Sequence, residues 1–467
     1  VDERVMQKCD LSTWRKFRNR LHCKFNRKRM KKIKILSGIL IGFIAISFIG
    51  YVIHERENVF TGILKIITSP AVLITDFLVI GGIGASFVNA FLIFLFNFTI
   101  IKMLKIEING LIIASFFTVF GFSFFGKNIL NILPFYLGGI LYSLYEHIDF
   151  KEIFVTISFA SALAPFVSEV AFRVDTTDTS YLNAIALGIL IGFIVTPLAK
   201  KMASFHEGFN LYNLGFTGGI LGAVITSILK LYKFQITPQR IISVEYDLAL
   251  KLICSGVFLS LIIIGYFING SSFTGYKKLL EDTGLKADYV QRYGFGLTYI
   301  NMGIMGFVAM SFVILLGETF NGPLLAGILT IVGFSAYGKH FLNTIPILIG
   351  VYLAKFGSNT DTFTVALSGL FGTSLAPISG VYGTFWGIVA GWLHLAVVQS
   401  IGTVHGGLNL YNNGFSAGIV AGFLLPIMDM IKNHKDKERL KYLKRKKQLY
   451  DAINLERKKY EELDDEH

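Results

Sequence analysis

The chain has 467 residues, 53% of them apolar and only 16% charged, with a mean hydropathy of +0.58 and a formal net charge of +13. A soluble core of this size would carry charges along every helix, so the composition excludes a soluble globular enzyme and points to an α-helical polytopic membrane protein. The positive charge sits beside the apolar runs instead of forming a face that could follow a nucleic-acid backbone, which excludes a nucleic-acid binder.

In chain order, residues 1–33 form a basic arm that includes Arg15, Lys16, Arg18, Arg20 and Lys24. Apolar runs of spanning length follow at 35–53, 77–101, 249–268 and 297–316. Shorter apolar pieces at 111–125, 129–145 and 324–337 are interrupted by Gly, Pro and Asn. Such breaks survive in a bilayer where they are buried or line a cavity. The segment 431–467 is charged and predicts a cytoplasmic helix. Basic flanks at both ends place both termini in the cytoplasm and the chain in the cell inner (plasma) membrane. Cys9, Cys23 and Cys254 imply no disulfide, no metal site and no cofactor.

The chain repeats itself. GFSFFGKNILNILP at 121–134 returns as GFSAYGKHFLNTIP at 333–346, and GFNLYNLGF at 208–216 returns as GLNLYNNGF at 407–415. Lys127 and Lys339 are 212 residues apart, as are Asn131 and Asn343. Further along the offset is 199, between His206 and His405 and between Tyr212 and Tyr411, so the first copy carries 13 extra residues in the stretch 169–183. The copies are a membrane repeat at 34–232 and another at 248–430, joined by a linker at 233–247. We expect about five spans plus broken or re-entrant helices in each. With both termini inside, inverted and parallel copies both fit. The linker sets Lys230, Lys233 and Arg240 against Glu245 and Asp247, an inward lean that favours parallel copies.

A duplicated apolar chain with matching helix breaks predicts a transport pathway at the repeat interface. Lys127 and Lys339 are either solute-facing ammonium groups or helix-end lysines snorkelling to headgroups. Asn131 and Asn343, three residues before each proline, either face a solute or repair the local backbone. Asn210, Tyr212 and Asn213, with Asn409, Tyr411 and Asn412, combine hydrogen-bonding groups and an aromatic plane, a chemistry suited to a neutral planar solute. The alternative is a helix N-cap. His206, His405 and the unrepeated His394 are candidates for gating. No catalytic group is expected, since no Asp or Glu is found at matching positions; Glu107 and Glu318 come nearest. Asp76 and Asp361 read as solvated span edges, and the phenylalanines of 116–125 read as core or lipid-facing.

The element from Gly407 to Gly414, with Gly208 to Gly215, resembles the Gly-Leu-His-Gly-Tyr-Asn-Gly-like segment of the urea transporters, with Asn in place of the His. Asn321-Gly322-Pro323 is similar to that family's Asn-Pro-x-x-Gly segment, with an extra Gly. The Gly-Lys-x-x-x-Asn-x-x-Pro element has no counterpart there. The chain also resembles uncharacterised bacterial two-repeat polytopic membrane proteins. The urea transporter likeness implies inverted repeats, a pore in each protomer and a homotrimer. The expected function is a channel or facilitative transporter for urea or a similar small polar solute. The alternative is a proton- or Na⁺-coupled transporter of a small anion that uses Lys127 and Lys339. The expected partners are that solute, membrane lipids and further copies of the chain.

Overall fold

The computed structural model describes residues 56–172, 178–234, 236, 238–401 and 404–464; the basic arm, the run at 35–53, Cys9, Cys23 and the centre of the 169–183 insertion lie outside them. The first half contributes α1 (Arg56–Thr68), α2 (Phe77–Met103), α3 (Gly110–Phe122), α4 (Leu133–Tyr145), α5 (Phe150–Ala160), α6 (Ala164–Phe172), α7 (Asp178–Ala203) and α8 (Asn213–Leu231). The second contributes α9 (Asp247–Ile268), α10 (Tyr276–Leu280), α11 (Tyr289–Leu315), α12 (Gly322–Phe334), α13 (Phe341–Lys355), α14 (Thr362–Gly372), α15 (Ala376–Tyr382), α16 (Thr384–Ile401) and α17 (Asn412–Asp464). Single 3-10 turns join α5 to α6 and α14 to α15. Among the described residues nine segments are long and apolar enough to cross a bilayer, five of them in the second half. This is an all-α multi-pass membrane protein built as a tandem repeat.

The halves match in detail. Asp76 and Asp288 cap α2 and α11, and each of these helices breaks at one glycine, Gly82 (φ 82°) and Gly294 (φ 77°). The break frees a carbonyl that the bilayer cannot satisfy. Ser86 and Thr298, again 212 apart, donate their hydroxyls to Gly82 and Gly294 at 2.8 Å. Because α11 continues through its break, it starts at Tyr289, eight residues before the apolar run at 297. α3 and α12 have 13 residues each, about 20 Å at 1.5 Å per residue, and so are too short to span. The charged tail is helical as far as Asp464 and continues the last span within α17.

Reciprocal contacts relate the halves. A Cβ on Gly110 would lie 2.1 Å from the Ala336 carbonyl oxygen, and one on Gly121 would lie 2.8 Å from the Ala326 Cα. In return Gly322 meets the Phe124 carbonyl and Gly333 meets Ala114. As the chain advances along α3 its partners recede along α12, so the two helices are antiparallel. The same holds where α8 and α17 meet at their first turns. Gly215 lies against Gly414, Gly219 against Phe415, and Gly222 against His405 in the loop before α17. Reciprocity of this kind defines a two-fold relation. Its axis passes between Gly215 and Gly414 and crosses the helices, so one half is upside down against the other. The copies are inverted, as expected, and the linker's small inward lean toward parallel copies is overruled.

The aspartate caps tie the halves together. Asp76 accepts from Leu78 N of its own helix, from Gly322 N at 3.1 Å and from Ser243 N at 3.0 Å. Asp288 accepts from Gln291 N and, across the axis, from Gly110 N at 2.9 Å. Asp76 is fully buried, not a solvated span edge. The pair also corrects the expectation that no acidic residue repeats in register.

Candidate functional site

A cavity of about 590 Å³ reaches from the surface to the pseudo-two-fold axis. Its inner end is lined by Thr118 with Thr330, Phe122 with Phe334, Phe159 with Phe371, and Tyr212 with Tyr411, each pair related by the repeat. Ring contacts cross the axis reciprocally: Phe122 meets Tyr411 at 4.6 Å and Phe334 meets Tyr212 at 4.7 Å. Phe122 and Phe371 are 5.5 Å apart, and Phe159 and Phe334 are 5.8 Å apart. Phe122 is fully buried core, as read, and also borders the cavity. The outer end is polar and belongs to one side of the molecule: Lys151, Glu152, His206 and Lys286.

Lys127 and Lys339 are fully buried behind this aromatic wall. Lys339 donates from Nζ to the Tyr212 hydroxyl at 2.5 Å and to Thr373 Oγ1 at 2.7 Å, with Nζ 4.4 Å from the Tyr212 ring centroid. Lys127 makes the looser version, 3.5 Å to the Tyr411 hydroxyl and 5.3 Å to its ring centroid. Each lysine of one half thus supports the tyrosine of the other. No carboxylate among the described residues pairs with either lysine. The backbone here is fixed by buried amides. Asn89 Nδ2 donates to the Ser123 and Lys127 carbonyls, and Asn301 does the same to Ser335 and Lys339, all at 2.7–2.9 Å. Gly126 (φ 83°) and Gly338 (φ 88°) make the left-handed turn that precedes each lysine.

The structure separates the residues that sequence grouped. His206, Asn210, Tyr212, Asn213 and Tyr411 line the cavity. The lysines stand behind it. Asn131 and Asn343 turn back on their loops and donate to the Gly126 and Gly338 carbonyls at 3.0 and 2.9 Å; of their two readings, the structure displays backbone repair. Asn210 bridges the axis to the Gly414 carbonyl at 2.9 Å, and Asn213 is held between His206 Nε2 and the Ala199 carbonyl. Asn409 accepts from Tyr411 N, and its Nδ2 has no partner. Asn412, His405 and His394 are outside the cavity lining; His394 is buried against Gly372. Sequence reasoning missed Thr118, Thr330 and the four phenylalanines. Phe122 and Phe334 stand second in the repeated Gly-Phe-Ser motif, a signal that was available.

The symmetry-related second mouth is closed. The counterparts of Lys151, Thr156 and Asn109 are Phe363, Ser368 and Asn321, all buried. The inter-repeat linker lies across this side. Ile241 N donates to the Ile74 carbonyl at 2.8 Å and Asp76 N to the Ile241 carbonyl at 3.0 Å. Arg240 then reaches Asp361, the cap of α14, at 2.6 Å and covers the Phe363 ring at 5.0 Å. Burial raises the Asp361 carboxyl, but the Arg240 guanidinium with the Thr364 hydroxyl and amide outweighs it, and the group is held below the usual carboxylate range.

These features define a multi-pass helical membrane protein with an inverted repeat and one cavity on its pseudo-two-fold axis. The chain belongs to the family described as Protein of unknown function (DUF1576), which matches residues 55–231 and 268–430, one region in each half. No curated protein and no solved structure matches the chain.

Proposed function

We propose that the protein carries a small solute across its membrane by exposing the central cavity to the two sides in turn. The observation that carries this reading is the asymmetry of a symmetric site. Four repeat-related pairs line the inner cavity, yet only the first-half mouth is open, while linker, Arg240 and Phe363 cover the other. Halves that are upside down to each other can exchange conformations, which opens the second mouth and closes the first. A permanently open channel, the simpler expectation, would need both mouths at once. The reading assigns no catalysis to the chain, and urea remains one solute to test.

The test is stopped-flow and tracer flux in proteoliposomes with urea, glycerol and benzoate in turn. Carrier behaviour predicts saturable entry of one of them and faster tracer exchange when the same solute fills the far side. A Tyr212→Ala/Tyr411→Ala double variant should lose both. Unsaturable flux without exchange, or no flux of any of the three, contradicts the proposal.

A further inference from the structure

We infer that the cavity takes a small organic anion, a carboxylate attached to a flat apolar body. The inference rests on the carrier reading for its purpose but concerns equilibrium binding alone.

Three independent features of the inner cavity favour an anion. The first is the pair of buried lysines, Lys127 and Lys339, whose polar contacts are neutral hydroxyls and which gain a counter-charge when an anion enters. A charge buried without a counter-charge is costly, and an anion on the cavity side of the tyrosines supplies the missing one. The second is the meeting of α8 and α17 at their N-termini on the axis. α8 has 19 residues and no side-chain cap at Tyr212, and its first turn, from Asn213 to Gly215, lines the cavity. Its positive end therefore faces the solute. The third is Thr118, which lines the cavity, is 2% exposed, and has an Oγ1 without a hydrogen-bond partner. A buried hydroxyl left unpaired invites an acceptor.

The rest of the wall fixes the body of the solute. Phe122, Phe159, Phe334 and Phe371 offer no hydrogen bonds, so they suit a flat apolar group. Each tyrosine already has an ammonium over its ring, which spends the attraction a cationic solute would need. The volume of about 590 Å³ lies in the ordinary range for ligand pockets and is far larger than urea requires. At the mouth, the Lys286 stem packs on Gly208 and Lys286 has no carboxylate within ion-pair distance among the described residues. With Lys151 and Glu152 beside it, the mouth carries a net positive charge.

The experiment is calorimetric titration of the full chain in detergent with benzoate and with benzamide, its neutral analogue of nearly equal shape. Benzoate should bind about 10- to 100-fold more tightly, the ratio expected from one charge-assisted hydrogen bond. Lys339→Met should weaken benzoate several-fold and leave benzamide unchanged. If that variant fails to fold, Thr118→Val decides, because it removes an unpaired hydroxyl from a conserved shape; it should fold normally and weaken benzoate several-fold. Equal affinities, tighter benzamide, no benzoate binding, or a Thr118→Val protein that binds benzoate undiminished would each overturn the inference. A chain that binds benzoate but shows no carrier flux would sink the transport reading and leave the anion site standing.

Discussion

Arg240→Ala should unlatch the closed mouth. Arg240 and Asp361 are half exposed, at 51% and 47% of their side-chain areas, so their ion pair contributes at most about 1 kcal/mol. The guanidinium over Phe363 adds about 0.5–1 kcal/mol. Losing both favours the opposite-facing state by about 1–2 kcal/mol, a 5- to 30-fold change in its population. Ser368 reports that population, because it is buried beneath the latch while its counterpart Thr156 lines the open cavity. The assay is labelling of Ser368→Cys by a membrane-impermeant thiol reagent, with the native cysteines replaced. Labelling should accelerate 5- to 30-fold in the Arg240→Ala background, while Thr156→Cys should be labelled more slowly or at the same rate. An unchanged rate at Ser368→Cys would refute the latch. Equal acceleration at both positions would refute the alternation and indicate general loosening.

Asn301→Ala removes three hydrogen bonds, two to buried carbonyls and one from the Tyr276 hydroxyl, a loss of about 2–4 kcal/mol that thermal unfolding in detergent would register; a shift no larger than that of an exposed substitution contradicts the role given to this amide. Gly215→Leu places a side chain where Gly414 Cα lies 2.8 Å away and should abolish recovery of monodisperse protein. Gly256→Ala, with nothing within 4 Å of its added Cβ, should be neutral or slightly stabilising in the same sizing experiment. The latch should not respond to physiological pH. Asp361 is held below its ordinary value, so its contribution is complete above the unfolded pKa of about 4 and is lost only as pH falls through the lowered folded value. Ser368→Cys labelling should therefore be flat between about pH 5.5 and 8, after correction for reagent chemistry, and a step in that window would oppose the assignment.

The repeat was legible because two copies of one unit constrain each other. Gly-Lys-x-x-x-Asn-x-x-Pro at one offset located the turns that follow α3 and α12 and both lysines, while the breaks at Gly82 and Gly294 went unmarked. The lysines' roles were not legible, since a helix position does not say whether a side chain stands in front of an aromatic ring or behind it. Asp76 misled for a related reason. Its partners Ser243 and Gly322 are 167 and 246 residues away, so a charge at a span edge looked solvated when it was a cap shared across halves. Phe122 was read as core, which it is, and its recurrence as Phe334 marked the further fact that the pair borders the cavity. The latch lay beyond sequence reasoning. The linker belongs to neither copy, and its basic residues were read as a topology signal when one of them was pairing with Asp361.

The most direct test of alternation is a pair of distance measurements by double electron–electron resonance in lipid. One spin-label pair spans the open mouth at positions 151 and 286, and the other spans the closed mouth at positions 239 and 364. The account predicts two populations with opposite correlation, the first distance shortening whenever the second lengthens, with Arg240→Ala moving both toward the second population. Two mouths that open together, or distances that never change across solute and variant, would contradict it.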